Sequence, residues 1–145
     1  GSPREVYERP CNLFVSRFLG VSNELAGTIG ASVGEDRVFR PDDAEQAPLT
    51  VRTASTEQAG RSATLSLRPE HIRMAHERPS TSDPVLSGRI EKVLFAGSDT
   101  KYLVRVGRDR FWETRMTSNN SLPPFVTGDP VFLHWSLADA RLFFE

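Results

Sequence analysis

The sequence predicts an all-β body, a barrel or sandwich built from two interleaved repeats, with a short helical segment leading into it. Three observations carry the prediction. From residue 25 onward, short stretches alternate apolar and polar residues and most are bounded by Gly, Pro, Asn or Asp, the pattern of half-buried strands joined by turns. The motif Leu-x-Gly-x-Ile at Leu25, Gly27 and Ile29 returns at Leu86, Gly88 and Ile90. Within residues 12–20, Phe14, Val15, Phe18 and Leu19 fall on one helical face, with Asn12 placed to cap the start and Gly20 the end.

Taken in order, residues 1–2, Gly-Ser, read as the scar of a cleaved tag, and the chain as an excised piece of a longer protein. Residues 3–22 are expected to form a helical linker. So short a helix is marginal alone, so its apolar stripe, Phe14 and Phe18 included, is expected to be hidden by self-association or by folding back on the barrel. The expected strands are 25–33, 49–52, 63–67, 72–75, 86–95, 102–106, 110–116, 131–135 and 142–144. Residues 34–48, with acids at 35, 36, 42, 43 and 45, and residues 78–84, rich in Ser, Thr and Pro, read as exposed loops. The second divides a β domain spanning 23–145 into repeats of about 23–77 and 85–145. The two repeats also close alike, because Gly60, Ala63 and Arg73 stand at the same offset from Gly128, Val131 and Arg141. Each copy is too small to bury a good core alone, which favours interleaving.

Composition narrows the function. The 145 residues carry 18 basic and 19 acidic side chains, a net charge of −1 that gives no long-range field for nucleic acid or an anionic membrane. Cys11 is the only cysteine, which leaves no intrachain disulfide and no Cys-x-x-Cys metal cluster. No apolar run approaches the roughly 18–20 residues that span a bilayer. His71, His76 and His134 have no second ligand at metal spacing. Neither a phosphate loop, a Gly-x-Ser-x-Gly elbow nor a dinucleotide fingerprint occurs, so no ATP site, catalytic residue, cofactor or metal is expected in this chain. Asp42-Asp43 read as part of a solvated excursion rather than an acid–base pair. The basic and aromatic residues between Lys92 and Trp112 would suit single-stranded nucleic acid only if they shared a face, and alternation turns about half of them inward.

Arg68-Pro69-Glu70-His71 stands out. Pro69 fixes its φ near −65° and so holds Arg68 and Glu70 in set directions. The segment is either a plain strand connection or a recognition corner, and the residues alone leave both open.

The run Pro3-Arg4-Glu5-Val6-Tyr7-Glu8-Arg9-Pro10, followed by Asn12 to Gly20, resembles the segment that leaves the nucleotide-binding domain in ATP-binding subunits of bacterial ABC importers. Asn23-x-Leu25-x-Gly27, Leu67 to Arg73, Gly88 to Gly97 and Thr127 to Trp135 resemble the C-terminal regulatory region of those subunits, the TOBE type, with the polyamine, ferric-iron and sugar importers nearest. The resemblance implies an OB-like TOBE barrel that is non-catalytic and forms a homodimer. Its ATP and Mg2+ would sit in an upstream ATPase domain. The whole subunit would meet ABC permease subunits at the inner face of the cell membrane, touching the membrane only indirectly, and would serve polyamine uptake. Arg68, Pro69, Glu70 and His71 become the interface or regulatory candidates. Two other classes remain: a β-barrel sensing a small oxyanion or solute, and a single-stranded nucleic-acid-binding OB protein. Cys11, where Ala or Lys is usual, and the longer acidic stretch 34–48 depart from the family pattern.

Overall fold

The computed structural model describes residues 22–43, 46–53, 58–108, 110–117 and 124–144. The described residues form ten strands: β1 (Asn23–Val33), β2 (Asp36–Pro41), β3 (Leu49–Arg52), β4 (Ser62–Leu67), β5 (Arg73–Ala75), β6 (Val85–Ala96), β7 (Asp99–Gly107), β8 (Arg110–Thr117), β9 (Pro130–His134) and β10 (Arg141–Phe144). A 3-10 turn, Pro69–His71, separates β4 from β5, and another, Leu137–Asp139, separates β9 from β10. The predicted helical lead-in, with Phe14 and Phe18, lies outside the described residues.

Two five-stranded antiparallel sheets form, in the orders β10-β4-β1-β2-β3 and β5-β9-β6-β7-β8. The orders are the same once β1–β5 are matched with β6–β10, so the repeat in the sequence is a repeat in the fold. The closing strands are exchanged. β5 follows the first half in sequence but pairs with β9, while β10 follows the second half and pairs with β4. Each half thus completes the other's sheet, and the core runs through both, from Leu25, Phe39 and Leu65 to Tyr102, Trp112 and Trp135.

The repeated motif has a steric cause. A Cβ on Gly27 would strike the Arg40 carbonyl and the Phe39 ring, and one on Gly88 would come within 2.6 Å of Val104 and 2.9 Å of the Arg105 carbonyl. The adjacent strand crosses too closely at both places for any side chain. Past the glycine, each strand shifts register through a bulge, after Ile29 and after Ile90. There Gly60 N–H bonds Ile29 O at 2.7 Å and Gly128 N–H bonds Ile90 O at 2.8 Å. Gly60 and Gly128 both adopt positive φ, 96° and 94°, a conformation that suits glycine.

The reading of 34–48 as an exposed loop is corrected by β2. Arg37 and Phe39 alternate inward there, Phe39 into the core, and the buried Arg37 guanidinium donates twice to Gly30 O at 2.8 and 3.0 Å. The acids at 35, 36, 42 and 43 cluster at the two ends of that strand and mask its alternation. Among the described residues, no helix is long and apolar enough to cross a membrane.

Candidate functional site

Leu67 ends β4 facing the core, and Arg68 continues extended (φ −74°, ψ 143°) into Pro69. Proline's fixed φ starts the turn, which closes through His71 N–H to Arg68 O at 3.1 Å and Ile72 N–H to Pro69 O at 3.3 Å. The turn lies against β8, where Thr114 Oγ1 donates to Ile72 O at 3.4 Å. Arg68 and Pro69 are buried, while Glu70 and His71 face solvent. The four candidates are therefore brought together as neighbours but divided by environment. The first two belong to the crossing that delivers β5 to the second sheet, and only the last two are open to a partner. Beside them, Glu70, Asp99, Arg115, Met116 and Thr117 line an open cleft of about 410 Å3, and Arg115 is ion-paired to Glu113 at 3.0 Å.

The edge of β8 meets the start of β1 in a seam. Asn23 Nδ2 donates to Glu113 O and Asn23 Oδ1 accepts Glu113 N–H, both at 2.7 Å, so one side-chain amide imitates a paired strand. Trp112 Nε1 and Arg110 Nη1 both donate to Glu24 O, at 3.0 and 3.1 Å. Behind them the Trp112 and Trp135 rings lie 5.5 Å apart. A second clasp comes from Gln46, whose Nε2 donates to Ser87 O at 2.8 Å and Val106 O at 2.7 Å while its Oε1 accepts from Ser87 N–H and Oγ–H. Sequence reasoning missed both amides as functional groups. Asn23 carried a trace, as the first residue of the Asn-x-Leu-x-Gly match, whereas Gln46 had no signal in an acidic stretch.

The basic and aromatic run from Lys92 to Trp112 is split as alternation requires. Tyr102 and Trp112 are buried, whereas Lys92, Phe95, Arg105 and Phe111 are exposed. His134, in β9 opposite Arg73 and Val85, is held below the usual imidazole range by burial and then by the Arg73 charge, against an opposing pull from Asp83. Burial raises the Tyr102 phenol. Tyr102 also meets the Phe125 ring edge-on at 5.7 Å, and His76 stacks on that ring at 4.4 Å with its Nε2 3.0 Å from Pro124 O. Among the described residues, no three His, Cys, Asp or Glu side chains are grouped to hold a metal.

The sequence profile of the TOBE domain matches residues 65–143, more than half of the chain. The chain belongs to the TOBE domain family. This TOBE chain is 34% identical over 146 residues to the spermidine/putrescine import ATP-binding protein PotA of Frankia alni, an alignment covering 92% of this chain and 30% of that protein. The protein of the same name in Rubrobacter xylanophilus is 30% identical, with 96% of this chain and 35% of the relative covered. In Oleidesulfovibrio alaskensis the figure is 37%, over 73% of this chain and 28% of the relative. The TOBE chain thus spans about a third of the length of the curated relatives it matches. Among solved structures, the cytoplasmic molybdate-binding protein ModG with molybdate bound superposes with a TM-score of 0.71 at 10% identity, covering 85% of this chain and 96% of that one. At that identity the likeness shows the OB-like fold alone.

Proposed function

We propose that this TOBE chain is the non-catalytic regulatory and dimerisation part of the ATP-binding subunit of a bacterial ABC importer for polyamines. The observation that carries the reading is the alignment of 92% of the chain with 30% of a spermidine/putrescine import ATP-binding protein. ATP and Mg2+ are bound by the remainder of such a subunit, and the permease subunits bring the assembly to the inner face of the membrane from the cytoplasm. Within it the β body acts by contact. Two copies touch differently when the ATPase domains are open and closed, and about 1.4 kcal/mol of difference shifts that equilibrium tenfold. Glu70 and His71 are the corner residues open to such a partner.

The test is a chimaera in which this chain replaces the matching region of the Frankia alni protein, assembled with its permease in vesicles. Putrescine-stimulated ATP hydrolysis should return to at least half the parent rate and should be uncoupled in the truncated subunit. A chimaera no better than the truncation would refute the reading, and sedimentation of the chain as a monomer would refute its dimerisation part.

A further inference from the structure

A cleft of about 560 Å3 opens on the second sheet at the Arg89–Arg105 end of the β6/β7 pairing, where the two strands part. Arg89, Arg105 and Arg108 line it, with Gln46, Ser87 and Val106. Its volume lies in the range of about 300–1,000 Å3 typical of small-molecule sites. Its floor is pinned. Gln46 ties Ser87 in β6 to Val106 in β7, and no side chain fits at Gly88.

The walls break a rule of sheet stability. Arg89 and Arg105 are direct cross-strand partners on the exposed face, and like charges so placed oppose folding. Glu91 offsets one of them, with Oε2 3.5 Å from Arg105 Nε, but both side chains of that pair are more than two-fifths exposed, so water screens it heavily. A third cation, Arg108, follows in the turn after β7, where its backbone N–H is held by Asp43 Oδ2 at 3.3 Å. The guanidinium groups are partly oriented in advance. Arg89 Nη1 donates to Gly128 O at 2.7 Å, and Arg105 lies over the Phe111 ring at 4.7 Å.

The first repeat shows what the same backbone does without this pairing. There Thr28 stands opposite Arg40, and Thr28 and Arg40 occupy the places that Arg89 and Arg105 hold around the second glycine. The doubled arginine is thus not imposed by the fold, since the other half keeps the geometry with one cation. Planar guanidinium forks bind oxyanions in a bidentate manner, and three of them along one cleft suit a ligand with more than one anionic group.

We propose that this cleft is a binding site for a polyvalent oxyanion, a small ligand carrying two or more phosphate or carboxylate groups, with Arg89, Arg105 and Arg108 as its cationic contacts. The inference is independent of the importer reading. Its pre-set floor lowers the ordering cost of binding, and its place under the Gln46 clasp lets occupancy tighten the join between the repeats.

The test is calorimetric titration of the 145-residue chain in about 0.15 M salt, the physiological ionic strength, with inorganic triphosphate, citrate and orthophosphate. Triphosphate or citrate should bind at least tenfold more tightly than orthophosphate, and the tighter of the two names the anionic group. Arg89→Gln and Arg105→Gln should each weaken that binding at least fivefold, whereas Arg40→Gln should leave it within twofold. Arg108→Gln, in an exposed turn, provides a further variant if a strand substitution lowers the melting temperature. No binding of triphosphate or citrate at millimolar concentration, equal affinity for orthophosphate, or equal loss in Arg40→Gln would overturn the proposal.

Discussion

Asn23→Ala tests whether a side-chain amide completes the edge of β8. Asn23 is 4% exposed and makes two hydrogen bonds of 2.7 Å to the backbone of Glu113. A net value of about 1 kcal/mol per bond gives about 2 kcal/mol, and stranding a partly shielded N–H and C=O raises this to about 3 kcal/mol. For a domain of this size that lowers the melting temperature by roughly 6–15 °C. Trp112 and Trp135 are both 1% exposed and in contact, so urea unfolding can be followed by their fluorescence. The midpoint should fall with the slope unchanged. Hydrogen exchange adds a local reading, because the Glu113 amide should lose protection beyond the global change. Asn23→Asp keeps an acceptor for Glu113 N–H but sets a carboxylate against Glu113 O, so it should be no better than Ala. If Asn23→Ala changes stability by less than about 0.5 kcal/mol, the level of an ordinary surface substitution, the seam does not hold β8 and the reasoning fails.

Other outcomes follow from the same geometry. Gly27→Ala and Gly88→Ala should each cost about 3 kcal/mol or more by overpacking, while Gly30→Ala, whose Cβ would sit 3.4 Å from Val38, should cost no more than about 1 kcal/mol; urea midpoints decide. His134 has a folded pKa below its unfolded value of 6.5, so the unfolded chain binds the extra proton first and stability should fall as pH drops below 6.5. His134→Gln should flatten that acid limb in urea midpoints taken between pH 7.5 and 5, and an unchanged slope would refute the assignment. Separate peptides 1–84 and 85–145 should each lack a cooperative thermal transition, and their equimolar mixture should regain one. A cooperative transition in either peptide alone would show that strand exchange is dispensable.

Much of this architecture was legible because it is written in local pattern. Leu25, Gly27 and Ile29 alternate as a strand, their recurrence at Leu86, Gly88 and Ile90 marks the second copy, and nine of the expected strands correspond to structural ones with ends moved by a few residues. β2 was hidden because its inward residues are an arginine and a phenylalanine between acidic ends, and hydrophobic alternation does not register Arg37 as an inward side chain. The partners of β5 and β10 were beyond reach for another reason. Strands of three and four residues carry too few alternations to specify which sheet they join, so the repeat suggested interleaving without naming the strands that cross. At the corner, Pro69 disclosed the turn, but the packing of that turn against β8, which lies far along the chain, had no local mark. Asn23 and Gln46 act on backbone groups, and backbone groups leave no mark in sequence.

The exchange of strands bears on how the β body could carry out the regulatory role proposed for it. If each repeat had its own complete sheet, a force on one would be relieved at the joining segment 76–84 and go no further. Here the Pro69–His71 and Leu137–Asp139 turns carry strands from each repeat into the other, and Asn23 and Gln46 bond across the same division. The exposed Glu70 and His71 are therefore linked through β5 to its partner β9, and through β9 to β6, the strand that carries Arg89. The corner proposed for a partner and the cleft proposed for a small ligand are thus joined by one hydrogen-bonded ladder, and coupling between them requires that this ladder have two arrangements that both sites bias.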